Sequence, residues 1–118
     1  MIRKVKQEDC KAIAAIYNVY IANSTITFET EPVSEEEMER RIFTIASQYP
    51  YLVCEIDNAV VGYCYAHAWK ERAAYSKTFE TSGYLFLKLG FKQVSLFKEV
   101  GIKFGRRLDV SDYELLLD

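Results

Sequence analysis

Side chains that could do chemistry are concentrated between Gly62 and Phe91. This stretch predicts a strand, a charged loop over residues 70–72, and a second strand that carries Glu80. A carboxylate on a strand can take a proton from a substrate, and a guanidinium can bind an acidic group through two parallel hydrogen bonds. Without further context, Glu80 is better interpreted as a solvated carboxylate on an open sheet face, and Arg72 as a surface charge.

The composition sets the class of protein. With 118 residues, half of them apolar, the chain is long enough for one domain with a core. Its 15 basic and 17 acidic residues are spread along the chain, which argues against a nucleic-acid partner. It has neither an apolar run of membrane-spanning length nor the apolar core of a signal peptide near its N-terminus. We therefore expect a cytoplasmic protein that contacts no nucleic acid and no membrane.

The cysteine and histidine content argues against a metal site. Cys10, Cys54 and Cys64 have spacings that match no metal-ligand pattern, and His67 is the one histidine of the sequence. We therefore expect no bound metal. The cysteines are interpreted as small buried thiols in a reducing compartment.

The N-terminal half predicts one strand and two helices. Residues 2–5 alternate apolar and charged side chains, as a half-buried strand does. Glu8 and Asp9 then precede a helix whose apolar face would contain Ile13, Ile16, Tyr17 and Tyr20, and residues 23–25 break it. A second helix starts with a capping box over residues 34–37 and ends near residue 49, because a proline follows.

The remainder predicts a meander of strands. Residues 51–56 and 60–69 form two strands joined by a tight turn at Asp57 and Asn58, both of which tolerate positive φ. Residues 75–82 form a third strand. Residues 91–96 and 113–117 form two more, joined by an irregular segment at 101–107. Two helices followed by such a meander predict an α/β sandwich.

A series of short motifs adds a family resemblance. In chain order they are Ile16–Tyr20, Ser24–Thr25, Thr27–Glu29 with Pro32, Tyr49–Val53, Gly62–Tyr63, Trp69–Tyr75, Leu89–Phe91, Gly101–Gly105 and Leu108–Val110. Each is weak evidence, but together and in this order they resemble the phosphinothricin acetyltransferase branch of the GNAT N-acetyltransferases. The resemblance extends over nearly the whole chain.

The resemblance implies transfer of an acetyl group from acetyl-CoA to the amino group of a small amino-acid-like substrate, of the phosphinothricin or methionine sulfoximine type. An ammonium must lose a proton before its nitrogen can attack a thioester, and Glu80 stands where the family's candidate base stands. Glu29 is the second carboxylate expected to face the same pocket. For Glu29, a loop carboxylate that caps backbone amides is an equally good interpretation.

The resemblance also implies the residues that bind the substrate. Arg72 and Tyr75 would hold its acidic group, because a guanidinium matches a carboxylate or a phosphinate. Phe28 and Trp69 would line the apolar wall of the pocket. All three aromatic residues are expected to pack in the core whether or not they contact a substrate.

The sequence departs from the family pattern directly after Glu80. In the family, the equivalent strand leads into a glycine-rich turn and a helix N-terminus that bind the coenzyme's pyrophosphate. Here residues 80–85 resemble the start of that strand, and residues 85–91 already resemble the end of a later helix, which predicts an internal deletion near residues 84–86. The five glycines form no helix-opening pattern. Phe86, which cannot donate a proton, replaces the family's His or Tyr.

The expected fold class is therefore an abbreviated α/β GNAT-like fold in a single domain. Two N-terminal helices pack on a mainly antiparallel mixed sheet that lacks the central strand and the coenzyme-binding helix. We expect impaired acetyl-CoA binding; the alternative is a non-catalytic module that binds a small ligand or mediates dimerisation. The strand that carries Glu80 loses a neighbour, and its exposed edge predicts a homodimer, with the C-terminal strands available for exchange.

Overall fold

The computed structural model describes residues 1–68, 79–81 and 90–117, and for residues 79–81 it describes the backbone alone. The chain forms two compact units. The first comprises Met1–Val19 and Pro32–Ser82, and the second comprises Tyr20–Glu31 and Gly83–Asp118. Every strand pair in the described ranges is antiparallel.

The first unit contains a four-stranded sheet in the order β1-β2-β3-β4. Helix α2 lies against β2 and β3, and α1 runs from this unit into the second. The expected α/β class with two N-terminal helices is confirmed. The elements are β1 (Ile2–Lys4), a 3-10 turn (Gln7–Asp9), α1 (Cys10–Asn23), α2 (Glu35–Ala46), β2 (Tyr51–Ile56), β3 (Ala59–Ala68) and β4 (Phe79–Thr81).

The turn between β2 and β3 is the two-residue turn that the sequence predicts. Asp57 and Asn58 have φ angles of 49° and 62°, and the strands close on the pair Ile56 and Ala59. Positive φ at both central positions is the type I′ arrangement, whose twist matches that of antiparallel strands. The predicted strand over residues 75–82 is described at Phe79–Thr81, and the rest of it lies outside the described residues.

The buried face of α1 differs from the predicted one. Cys10, Ile13 and Ile21 are at most 2% exposed, whereas Tyr20, which the sequence placed on that face, is 43% exposed. Residues 10 and 21 are 11 residues apart, which is close to three full helical turns. The buried residues of α1 therefore follow the period of the α-helix. Tyr20 lies outside the buried face.

The start of α2 is fixed by side chains on both sides of it. Ser34 Oγ accepts a hydrogen bond from the Glu37 backbone N–H at 3.1 Å, which is the serine half of the predicted capping box. The Glu37 carboxylate accepts from Arg40 and Arg41. The side-chain amide of Asn18 exchanges two hydrogen bonds with the backbone of Val33, at 2.8 and 2.9 Å. This clamp joins α1 to the residue that precedes the cap of α2, and no sequence pattern indicated it.

A charged cluster joins β1, the 3-10 turn and β2. The Arg3 guanidinium donates to both Asp9 oxygens at 2.8 and 2.9 Å, and its Nε donates to Glu55 at 2.7 Å. Asp9 also accepts the Lys6 backbone N–H at 2.7 Å. The hydrogen bonds from Arg3 lower the pKa of Asp9 below its ordinary value, although burial acts in the opposite direction.

The second unit contains a long hairpin where the sequence predicted two short strands. Strand β5 (Lys92–Lys103) pairs with β6 (Arg106–Glu114) through a turn at Phe104 and Gly105, both with positive φ. The prediction of an irregular segment at 101–107 and of a strand at 113–117 was therefore wrong. The alternation in β5 is broken at Glu99, which has a φ of 57° and donates its N–H to the Asp109 carboxylate at 2.8 Å. This bulge hides the period-2 pattern from a sequence reading.

The described cysteines are free thiols, but they are not uniformly buried. Cys10 is buried, Cys54 is half-buried and Cys64 is exposed on β3, so the expectation of buried thiols was wrong for Cys64. Over the described ranges, neither helix has the length and apolar content that a bilayer crossing requires.

The Arg3 cluster predicts a specific pH dependence of stability. Because the pKa of Asp9 is lower in the folded than in the unfolded protein, its ionised form stabilises the fold above the ordinary value of 3.8. That stabilisation is lost as the pH falls through the folded pKa. Asp9→Asn should therefore lower the free energy of unfolding at neutral pH and flatten its decrease on the acid side, measured by urea unfolding over a pH series.

Glu8→Gln is the matched control, because Glu8 lies in the same turn but is exposed. This variant should keep the wild-type pH profile. An Asp9→Asn protein with the wild-type acid slope would show that the cluster does not contribute in this way.

Candidate functional site

The expected general base, Glu80, lies at the middle of β4. Its backbone pairs in register with His67 of β3, between the pairs Ala66 with Thr81 and Ala68 with Phe79. The His67 ring lies 5.9 Å from the Tyr65 ring, and its Nδ1 is 2.9 Å from the Ala68 carbonyl oxygen. The expectation that His67 is a packed strand residue agrees with these contacts.

Phe28 and Glu29 belong to the second unit, in the segment that follows α1. Glu29 is half-buried, and its backbone N–H donates to Thr27 Oγ1 at 3.2 Å. Phe28 is 51% exposed, so it is not the core residue that the sequence predicts. Three further expected site residues, Trp69, Arg72 and Tyr75, lie outside the described residues.

Two residues of β5 hold the Thr27–Glu29 segment, and sequence reasoning missed both. Lys103 is 2% exposed, and its Nζ donates to the Thr27 carbonyl oxygen at 2.7 Å. The ammonium also lies 5.1 Å from the centre of the Phe104 ring, at the range of a cation–π contact. A lysine on a strand signals a solvated charge, so nothing in the sequence indicated that this one is buried.

Gly101 provides the second contact, because a side chain at this position would displace the Phe28 ring. A Cβ at this position would lie 2.5 Å from Phe28 Cζ and 2.9 Å from Cε1. The Phe28 ring therefore rests directly on the backbone of β5. Lys103 thus holds the Thr27 carbonyl, and Gly101 holds the Phe28 ring. Together they fix the backbone from which Glu29 extends.

The described helix N-termini do not suit a pyrophosphate. Helix α1 starts directly after Glu8 and Asp9, and α2 carries three glutamates in its first turn. These carboxylates would repel the anion that a helix N-terminus otherwise attracts. The described glycines lie in β3, in β5 and in turns at residues 90 and 105, and none of them opens a described helix. The residues that the structure describes therefore do not fit the coenzyme's pyrophosphate.

A metal centre finds no support in the same part of the chain. Over residues 1–68 and 90–117, no three His, Cys, Asp or Glu side chains are grouped closely enough to hold a metal ion.

Comparison with known proteins decides the family. Residues 2–88 match the model of the acetyltransferase (GNAT) domain. The chain belongs to the GNAT acetyltransferase family. A phosphinothricin N-acetyltransferase of Streptomyces viridochromogenes is 38% identical over 84 residues, which are 71% of this chain and 46% of that protein. The matched part of this GNAT chain therefore spans less than half of the length of that relative.

Two further comparisons cover more of both chains. The phosphinothricin N-acetyltransferase of Streptomyces coelicolor is 25% identical over 160 positions, covering 96% of this chain and 94% of that protein. The crystal structure of a GNAT superfamily phosphinothricin acetyltransferase from Sinorhizobium meliloti in complex with AcCoA is 28% identical, with a TM-score of 0.87. The structural match covers 94% of this chain and 84% of the Sinorhizobium meliloti chain. The chain thus shares the fold of proteins that bind acetyl-CoA.

The contact between Gly101 and Phe28 can be tested by substitution. Gly101→Ala should lower the free energy of unfolding by about 1 kcal/mol or more, because the ring must leave its place on β5. Combined with Phe28→Ala, the two effects should be non-additive by about 1 kcal/mol, since both remove one contact. Urea unfolding of the two single variants and the double variant measures this coupling.

Gly62→Ala is the control for this experiment, because a Cβ at Gly62 would meet nothing within 4 Å. It should be as stable as the wild type or more stable by up to about 1 kcal/mol. If Gly101→Ala and Gly62→Ala changed the free energy of unfolding equally, Phe28 would not rest on Gly101.

Proposed function

We propose that this chain is a single-domain relative of the acetyl-CoA-dependent N-acetyltransferases that act on small amino-acid-like substrates, and that its own coenzyme binding is impaired. The observation that carries the proposal is the alignment with the Streptomyces coelicolor enzyme, which extends over 160 positions, whereas this chain has 118 residues. The alignment must therefore contain gaps in this chain. We assign them to an internal deletion near residues 84–86, directly after the strand that carries Glu80.

The lack of fit for a pyrophosphate supports this proposal. A helix N-terminus free of carboxylates offers backbone N–H donors that suit the coenzyme's phosphates. The described helices start with acidic residues instead. An internal deletion after β4 would remove the turn and helix that provide these donors in the relatives.

The acceptor half of the site is proposed to be retained. Glu80 would take the proton from the substrate's ammonium, and Glu29 would be the second carboxylate of the pocket. The other expected site residues would bind the substrate. Arg72 and Tyr75 would hold the acidic group, and Phe28 and Trp69 would form the apolar wall. Two observations support defined backbone positions for Glu80 and Glu29. Strand β4 pairs with β3, and Lys103 binds the Thr27 carbonyl in the segment that contains Glu29.

A non-catalytic module that binds a small amino acid is the second candidate. The same acidic helix starts favour it, since a chain that cannot hold the donor can still hold an acceptor. Neither candidate predicts saturable coenzyme binding, so such binding would contradict both.

Calorimetric titration of acetyl-CoA into the 118-residue protein tests the impairment. We expect no saturable heat, because the described part of the chain offers no carboxylate-free helix start to the pyrophosphate. Saturable binding would overturn the proposed impairment, and Glu80→Gln would then be expected to abolish acetyl transfer.

A methionine sulfoximine titration in a separate cell tests the acceptor half. We expect binding that weakens about tenfold in Arg72→Gln, because a charge-assisted hydrogen bond is lost. Arg107→Gln, an exposed arginine of β6, is the matched control and should leave the affinity unchanged. The absence of any binding, or equal effects of both variants, would contradict the retained acceptor site.

A homodimer is proposed as the assembly. Among the described strands, β4 lies at the edge of its sheet, and an uncovered edge tends to pair with another strand. The hairpin of the second unit exposes apolar side chains, among them Val94, Val100 and Ile102, at 58%, 60% and 69%. These two features support a dimer in which C-terminal strands can be exchanged.

The dimer can be measured by size-exclusion chromatography with light scattering at micromolar concentration. We expect the mass of two chains for the wild type and of one chain for Ile102→Glu, because a charge would be buried in the interface. Val61→Glu, at an exposed position of β3, should remain dimeric. A wild-type profile with monomer alone would contradict the proposal.

A further inference from the structure

The segment over residues 27–29 lies against one face of β5, and both belong to the second unit. Successive side chains of a strand point to opposite faces, so Gly101 and Lys103 share a face. Lys103 is 2% exposed, whereas Ile102, on the other face, is 69% exposed. The segment therefore covers the face of β5 that carries Gly101 and Lys103.

The backbone on both sides of Phe28 is held by hydrogen bonds. Lys103 Nζ donates to the Thr27 carbonyl oxygen at 2.7 Å, and the Glu29 backbone N–H donates to Thr27 Oγ1 at 3.2 Å. Because the chain is anchored before and after Phe28, a displacement of its ring has to come mainly from rotation about the side-chain bonds.

The absence of a side chain at Gly101 sets how deep the Phe28 ring lies. A Cβ at Gly101 would lie 2.5, 2.9 and 3.2 Å from Phe28 Cζ, Cε1 and Cε2, which form the far end of the ring. Carbon atoms in favourable van der Waals contact are about 3.5 to 4.0 Å apart. The ring therefore lies about 1 Å closer to β5 than it could with any other residue at position 101.

The other side of the Phe28 ring is open. Phe28 is 51% exposed although the far end of its ring touches β5. A ring that is pushed off β5 can move only toward this exposed side. A displacement of about 1 Å is comparable to the space that one added methylene group needs.

We propose that Gly101 determines the size of the apolar group that the acetyl-acceptor site admits, and that its missing side chain makes room for an alkyl group one methylene longer than methyl. The inference rests on the proposed role of Phe28 as the apolar wall of that site. The favoured substrates are then amino-acid-like compounds with an alkyl group the size of S-ethyl. Gly101 acts through the Phe28 ring, without a substrate contact of its own.

Calorimetric titration with methionine sulfoximine and with its S-ethyl homologue, ethionine sulfoximine, tests this proposal. For the wild type we expect ethionine sulfoximine to bind about fourfold more tightly, because one more methylene is buried. For Gly101→Ala we expect the order to reverse. Ethionine sulfoximine should then be the weaker ligand by about fivefold or more, because the displaced ring overpacks the site.

Further variants separate ligand selection from stability. In a Phe28→Leu background, Gly101→Ala should leave the ratio of the two affinities unchanged, because the ring on which it acts is absent. Gly62→Ala should keep the wild-type ratio, since a Cβ at Gly62 would meet nothing within 4 Å. A purely structural effect of Gly101→Ala would weaken both ligands equally and would not change this ratio. Thermal unfolding verifies that each variant is folded at the temperature of the titration.

Four outcomes would overturn the proposal. The first is a wild-type protein that prefers methionine sulfoximine. The second is a Gly101→Ala protein with the wild-type ratio of affinities. The third is the same change of ratio in the Phe28→Leu background, which would show that the ring is not involved. The fourth is the absence of binding of either ligand to the wild type, which would also contradict the acceptor site. The first three outcomes leave that site intact, so the two proposals can fail separately.

Discussion

The pairing of β2 with β3 is the constraint on which the first unit depends. Tyr51 lies opposite Tyr65 with the two rings stacked at 4.8 Å, and Tyr51 is buried. Because side chains alternate between the faces of a strand, a slip of one residue would move this ring to the wrong face. β1 pairs with one side of β2, and β3 on the other side pairs with β4. The backbone position of Glu80 therefore follows from this register.

A bulge interrupts the pairing of β2 with β3 near the turn. Cys54 pairs with Gly62 but Glu55 pairs with Val60, so Val61 is the extra residue. The bulge bends β3, the strand that carries it. On β2, Glu55 binds Arg3, which also binds Asp9, and this cluster stabilises the junction from which α1 starts.

In the second unit, the long hairpin orders a segment that has no regular structure of its own. Residues 24–31 contain neither helix nor strand, yet Lys103 holds the Thr27 carbonyl and Gly101 receives the Phe28 ring. The backbone position of Glu29 therefore depends on Gly101 and Lys103 of β5, more than 70 residues away in sequence.

The sequence by itself determined the element types of the N-terminal two thirds, because their signals are local. The serine cap of α2, the two-residue turn at Asp57 and Asn58, and the bounds of β2 each depend on neighbouring residues in the chain. The family also followed from the sequence, since its motifs are short and ordered. Assignment of Glu80 to a strand depended on the same local pattern.

The tertiary structure decided what depends on residues far apart in sequence. The hairpin at residues 92–114 was missed because Glu99 and Asp109 form a bulge that breaks the alternation. The burial of Lys103, the contact of Gly101 with the Phe28 ring and the stacking of Tyr51 on Tyr65 all arise from contacts between distant segments. No local propensity encodes such contacts, since they exist only after the strands have paired and α2 has packed on the sheet.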